Sequence, residues 1–181
     1  GHGVAIEAII LLEKAGAAGA AKDLRLIFAG DAQGRDGYAA SLACRVKDLG
    51  LGRMIRLVGH CDDMPAAYSA ADVVLSPSTR PEAFGRVAAE AGAMGRVVIA
   101  ADHGGARETV IDGETGFLVA PGSAEALANA LVRAIGLGAE GRAAMGEKAA
   151  ARIAAKFSTA AMAAATIAAY QSLLDARTGP A

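Results

Sequence analysis

Five short apolar runs alternate with helix-period stretches, and this alternation limits the fold more than any other feature of the chain. The runs are Leu24–Gly30 (LRLIFAG), Met54–Gly59 (MIRLVG), Asp72–Ser78 (DVVLSPS), Arg96–Asp102 (RVVIAAD) and Gly116–Ala120 (GFLVA). Each is apolar on both faces, as a strand buried between two layers must be. Helical periodicity falls between them at Tyr38–Leu49, Met64–Ala70, Gly85–Met94 and, for a single turn, Ala106–Ile111. Strand–helix alternation of this kind predicts an α/β domain, a doubly wound Rossmann-like parallel sheet with helices on both sides. The tail predicts three helices: one over SAEALANALVRAI with Ser123 as its cap, then Glu140–Lys156 and Thr159–Ala176.

The first helical stretch, VAIEAIILLEKAG (Val4–Gly16), has no strand before it, whereas a doubly wound domain opens with one. The expectation is that residues 1–181 form one such domain lacking its first strand. In the usual 3-2-1-4-5-6 order that strand would lie between those at Leu24 and Asp72. These two would then stand about two strand spacings apart, roughly 10 Å, instead of pairing directly.

Composition narrows the function. Hydrophobic residues make up 54% of the 181 residues and charged residues 20%, a globular balance. With a net charge of −1, no basic block and no zinc spacing, nucleic acid is not expected as the main partner. Cys44 and Cys61 are unpatterned and read as buried thiols in a reducing compartment. No signal peptide is legible at the start. STAAMAAATIAAY is short of the roughly 20 apolar residues a bilayer span needs. The expectation is a soluble, cytoplasmic protein.

The segment SPSTRPEAFGRVAAEAGAMG (Ser76–Gly95) carries Glu82 on a loop after a strand and Glu90 two turns into the following helix. Ligands of open α/β sheets bind at the carboxyl ends of the strands. A helix opening at Gly85 presents free N–H groups from Phe84 to Val87, which favour a phosphate. Helical Cβ atoms lean towards the N-terminus, so Glu90 can reach back to the same crevice. Amides for a diphosphate and two carboxylates for hydroxyls suit a sugar nucleotide. On spacing alone, a capping Glu82 and a solvated Glu90 is the default reading; the flanking sequence changes it.

The segment resembles the donor-domain signature of retaining glycosyltransferases of family 4, which have the two-domain GT-B architecture. The resemblance rests on Pro77-Ser78, Glu82-Ala83-Phe84-Gly85 and Glu90-Ala91, with seven residues between the glutamates. VVIAADHGGARETVIDGETGFLVAPG (Val97–Gly122) follows, and LRLIFAGDAQG and IRLVGHC precede it in the family's order. It implies that the chain is the C-terminal, donor-binding half of such an enzyme. Glu82 is then the catalytic-site carboxylate holding hydroxyls of the transferred sugar. Phe84, Gly85, Arg86 and Val87 form an amide cradle for sugar and phosphate, bordered by Gly30 and Asp31. Glu90 binds the ribose, and Val58, Gly59, His60 and Met64 surround the base. No metal and no cofactor are implied; the nucleoside-diphosphate sugar is a substrate. The acceptor, a glycan, lipid or small molecule, would be met by an N-terminal domain absent from this chain. So would any peripheral membrane contact. The family's diphosphate-binding Arg and Lys, in a GRL…KG segment, are absent too.

Other residues read more plainly. His60 and His103 at strand ends read first as loop hydrogen-bonders, Glu108 as a cap or brace, Arg80 as an exposed loop arginine, and Gly104-Gly105 as a tight turn. Two alternatives stay open: a non-catalytic nucleotide-sugar-binding module and a related two-domain sugar-nucleotide epimerase. A nicotinamide dehydrogenase is disfavoured, since no strand is followed by G-x-G-x-x-G.

Overall fold

The computed structural model describes residues 1–15 and 23–178. In chain order the elements are α1 (His2–Lys14), β1 (Leu26–Ala29), α2 (Asp36–Asp48), a 3-10 turn (Leu51–Arg53), β2 (Ile55–Gly59), α3 (Met64–Ala70) and β3 (Val73–Ser76). There follow α4 (Arg86–Ala93), β4 (Val97–Ala101), α5 (Ala106–Thr109), β5 (Gly116–Val119), α6 (Ala124–Gly136), α7 (Gly138–Lys156) and α8 (Thr159–Thr178). Every expected strand and helix is present, the strands one to three residues shorter than the apolar runs. The expected end of the first helix, Gly16, lies outside the described residues. Ser123 caps α6 as expected, its Oγ accepting from the Ala126 N–H at 3.1 Å.

All strand pairs are parallel. β4 is the centre of the fold and is buried along its whole length. Its alternation divides the core in two. Val97 and Ile99 join α1 (Ile6, Ile9, Leu12) and α6 (Leu127, Leu131) on one face. Val98 and Ala100 join Tyr68 of α3, Ala88 and Ala91 of α4 and Ala106 of α5 on the other. Helices on both faces of a parallel sheet make the domain doubly wound. Each fully buried aliphatic side chain contributes about 1.5–3 kcal/mol.

The sheet comes as two pieces, β1–β2 and β3–β4–β5. Among the described residues, β1 and β3 do not pair with each other. Both nevertheless lean on one core: Leu26, Phe28, Val73 and Leu75 all pack against the α1–α6 cluster. Helix α1 bridges them, with Gly1 lying against Pro77 just past β3 and the His2 ring edge-on to Phe28 of β1 at 5.0 Å. The carboxyl ends of both strands therefore point to the start of α1.

Burial on both faces holds for β4 and not for the outer piece. Ile27 and Val58 are more than half exposed, because no described element covers the side of β1–β2 away from α1.

The tail also departs from expectation. α7 and α8 follow each other so closely that Gly138–Ala176 is long and apolar enough, by length and composition alone, to cross a bilayer. The α7 part carries Arg142, Glu147, Lys148 and Arg152 and packs on the domain through Met145, Ala149 and Ile153. Along α8, Met162, Ile167, Tyr170, Leu173 and Leu174 are exposed.

Candidate functional site

The crevice at the carboxyl end of β3 is built from the loop after β3 and the turn after β4. Ser76 ends β3 and is buried, and the chain continues as an irregular loop through Glu82 to Gly85. Gly85 takes the left-handed conformation (φ 77°, ψ 62°) that starts α4, a conformation that glycine adopts without penalty. No side chain caps α4, so its first-turn N–H groups are open to an anion.

The loop is held from behind by the turn after β4. The Gly105 N–H donates to the Glu82 carbonyl at 2.9 Å. A Cβ on Gly104 would collide with that carbonyl, and one on Gly105 with the carbonyl of Phe84. The two glycines thus do more than turn the chain, since they let two loops touch along their backbones. His103 adds a bond from Nε2 to the Ser78 carbonyl at 2.9 Å. Ser78 Oγ in turn donates to Glu82 Oε1. The carboxylate of Glu82 is exposed beside Gly85.

Glu90 lies further along α4, half-buried. Arg86, one turn earlier, grips Oε1 through Nε at 3.1 Å and a terminal nitrogen at 2.8 Å. The Tyr68 hydroxyl donates to Oε2 at 2.9 Å. Burial and the bond to Glu90 push the Tyr68 phenol up to about 12. Oε1 accepts both Arg86 bonds and Oε2 only the one from Tyr68, so the carboxylate is oriented and Oε2 retains a lone pair that can still accept.

The ends of β1 and β2 form a second group. The Gly30 N–H donates to the Gly59 carbonyl at 2.7 Å, and His60 Nδ1 stands 3.8 Å from Asp31. His60 also meets Asp62 at 2.9 Å. Gly30, Asp31, Val58, Gly59 and His60 therefore lie together at the carboxyl edge of β1–β2. The start of α1 stands between this edge and the Glu82 crevice, where burial first, then the nearby Gly1 amino group and Arg35, push the His2 imidazole down.

Met64 stands apart from this group and packs with Tyr68 against the α4 core. The Phe84 ring turns towards Phe157, 5.7 Å away at the α7–α8 junction, leaving only its backbone for the crevice. Val87 is exposed on the first turn of α4. Glu108 is exposed, and its carbonyl accepts from Arg152 of α7.

Tyr68 was not among the residues singled out in the sequence. Its role depends on α3 lying across α4; the available signal was a tyrosine four residues after Met64 on one helical face. A cavity of about 560 Å³ lies elsewhere, at the amino ends of β3 and β4 between Asp72, Arg96, Arg142 and Glu147. Parallel-sheet ligand sites form at the opposite ends of the strands. Among the described residues no group of three or more His, Cys, Asp or Glu side chains could hold a metal ion.

Comparison with known proteins places this arrangement. A D-inositol 3-phosphate glycosyltransferase of Corynebacterium aurimucosum is 39% identical over 110 residues, 60% of this chain and 26% of that protein. The crystal structure of a glycosyltransferase from Rickettsia africae superposes with a TM-score of 0.87 at 30% identity, over 96% of this chain and 44% of the other. Anabaena Alr3699/HepE, solved with UDP-glucose, superposes at 0.75 with 34% identity, over 82% of this chain and 41% of the other. The chain thus spans about a quarter of the first relative and under half of the solved structures. Its fold is that of the C-terminal α/β domain of GT-B glycosyltransferases. The family model for glycosyl transferases group 1 matches residues 1–152, and the chain belongs to that family.

Proposed function

We propose that the chain is the donor-binding domain of a retaining family 4 glycosyltransferase that uses a nucleoside-diphosphate sugar. Glu90 is the observation that carries the reading. A carboxylate held at both oxygens, next to an uncapped helix start, is prepared for a ligand with both hydroxyls and phosphates. In this reading Glu90 accepts from the ribose, and the amides of Gly85 to Val87 receive the diphosphate. Glu82 accepts from the transferred sugar. Gly30, Asp31, Val58, Gly59 and His60 border the phosphates and the base. Amides aimed at the diphosphate would stabilise the charge that develops as the glycosidic bond breaks.

An N-terminal domain would close the site and bring the acceptor. A further strand between β1 and β3 would complete the sheet, a reading supported by the lack of pairing between the two strands among the described residues. UDP-glucose is the donor to try first, because Anabaena Alr3699/HepE was solved with it.

Calorimetric titration of the full-length protein tests the division of labour. Glu90→Ala should weaken UDP and UDP-glucose alike, and Glu82→Ala should weaken UDP-glucose while sparing UDP. Each lost charge-assisted bond corresponds to about 1.5–3 kcal/mol, roughly 10- to 150-fold in affinity. Equal losses of both ligands in both variants would refute the assignment. Binding without transfer to any acceptor would favour a binding module over an enzyme.

A further inference from the structure

His103 sits where the two loops of the crevice meet, and it has been given no part in recognition. Its ring and Glu82 line the same small cleft, together with Ser76, Ser78 and Gly85. A carbonyl can only accept, so the contact of Nε2 with the Ser78 carbonyl fixes the proton on Nε2. In the neutral ring Nδ1 is then a bare acceptor, and among the described residues it is buried with no partner. A buried polar atom left unpaired has a cost, and the ring keeps its place despite it. The gain lies in what the other nitrogen does. By holding the Ser78 carbonyl, His103 sets the direction of the Ser78 side chain, whose hydroxyl donates to Glu82 Oε1. Two residues further on, Gly105 holds the carbonyl of the same glutamate. Backbone and carboxylate of Glu82 are thereby both referred to the turn after β4.

We propose that His103 is a positioning residue for sugar recognition. Acting through Ser78, it occupies Oε1 and leaves Oε2 of Glu82 as the oxygen presented to a hydroxyl of the transferred sugar. The proposal rests on the donor-site reading above. It assigns His103 no proton transfer and no direct contact with the nucleotide.

The test is calorimetric titration of the full-length protein with UDP-glucose and with UDP, using His103→Leu, His103→Gln, Ser78→Ala and Glu82→Gln. His103→Leu and Ser78→Ala should each weaken UDP-glucose about 3- to 10-fold, the size of a lost neutral hydrogen bond, and change UDP less than 2-fold. Glutamine carries an N–H donor of similar reach, so His103→Gln should recover most of the loss. Combined with Glu82→Gln, His103→Leu should add little, because the two act through one carboxylate. A merely structural role predicts the reverse: equal weakening of both ligands, additivity with Glu82→Gln and no rescue by glutamine. That result would overturn the proposal while leaving the donor site standing. Failure of the unaltered protein to bind either ligand would remove the donor-site reading itself, and this proposal with it. Should His103→Leu not fold, Ser78→Ala and His103→Gln still decide the matter.

Discussion

Tyr68 reaches Glu90 from a separate helix, and its ionisation reports whether that contact exists. An unfolded tyrosine titrates near 10, and burial with the Glu90 bond raises Tyr68 to about 12. The folded state then holds its proton more tightly than the unfolded one. The stability from this group is complete below pH 10 and is lost as pH rises from about 10 to about 12. Glu90→Gln should lower the titration of one of the three tyrosines, read from tyrosinate absorbance; an unchanged curve would deny the contact. Gly104 carries a second residue-scale prediction. Its φ is +54°, and a side chain there would strike the Glu82 carbonyl. Gly104→Ala should cost about 1–3 kcal/mol in urea unfolding; an unaffected midpoint would show that the loops do not touch as described. The placement of Glu82 before, Gly85 at and Glu90 within the start of α4 was legible in the sequence because a helix start and its first turns are local in the chain. Tyr68 and the His103–Ser78 contact were not, because each depends on where a distant loop or helix comes to rest.

At the scale of elements, apolar runs reported strands faithfully, since a strand inside a parallel sheet must be apolar on both faces. They did not report how deeply each strand is buried. β4 and β1 are both short and apolar, yet Ile99 is fully buried and Ile27 is 58% exposed. Ile99→Ala should therefore cost about 2–5 kcal/mol in chemical denaturation of this chain, and Ile27→Ala less than about 0.5 kcal/mol. Similar losses at the two sites would mean that the outer piece of the sheet is covered as well as the centre. What a single strand's sequence could not say is which neighbour would cover it, because that is a property of the assembled layers.

For the whole molecule, the division of the sheet is the feature that matters. β1 and β3 share a core and point the same way, but among the described residues each has one unpaired edge. Unpaired backbone groups exchange with solvent quickly, whereas paired core strands do not. Hydrogen exchange on this chain should be fast at the free edges of Leu26–Ala29 and Val73–Ser76 and slow throughout Val97–Ala101. In a longer form carrying a strand between them, both edges should become protected. Protection already present in this chain would mean that the two strands are paired to something in it.

The central claim is that a nucleotide sugar is received at the carboxyl end of β3, against the start of α4, and not in the larger cavity at the other end of the strands. The most direct measurement is an amide NMR titration of the full-length protein with UDP-glucose. The predicted result is that the largest shifts fall on Phe84, Gly85, Arg86 and Val87, with a second set at Gly30, Asp31 and Gly59. The amides of Asp72, Gly95, Arg96 and Arg142, which line the 560 Å³ cavity, should stay in place. Shifts concentrated at those four residues, with the start of α4 unmoved, would contradict the account.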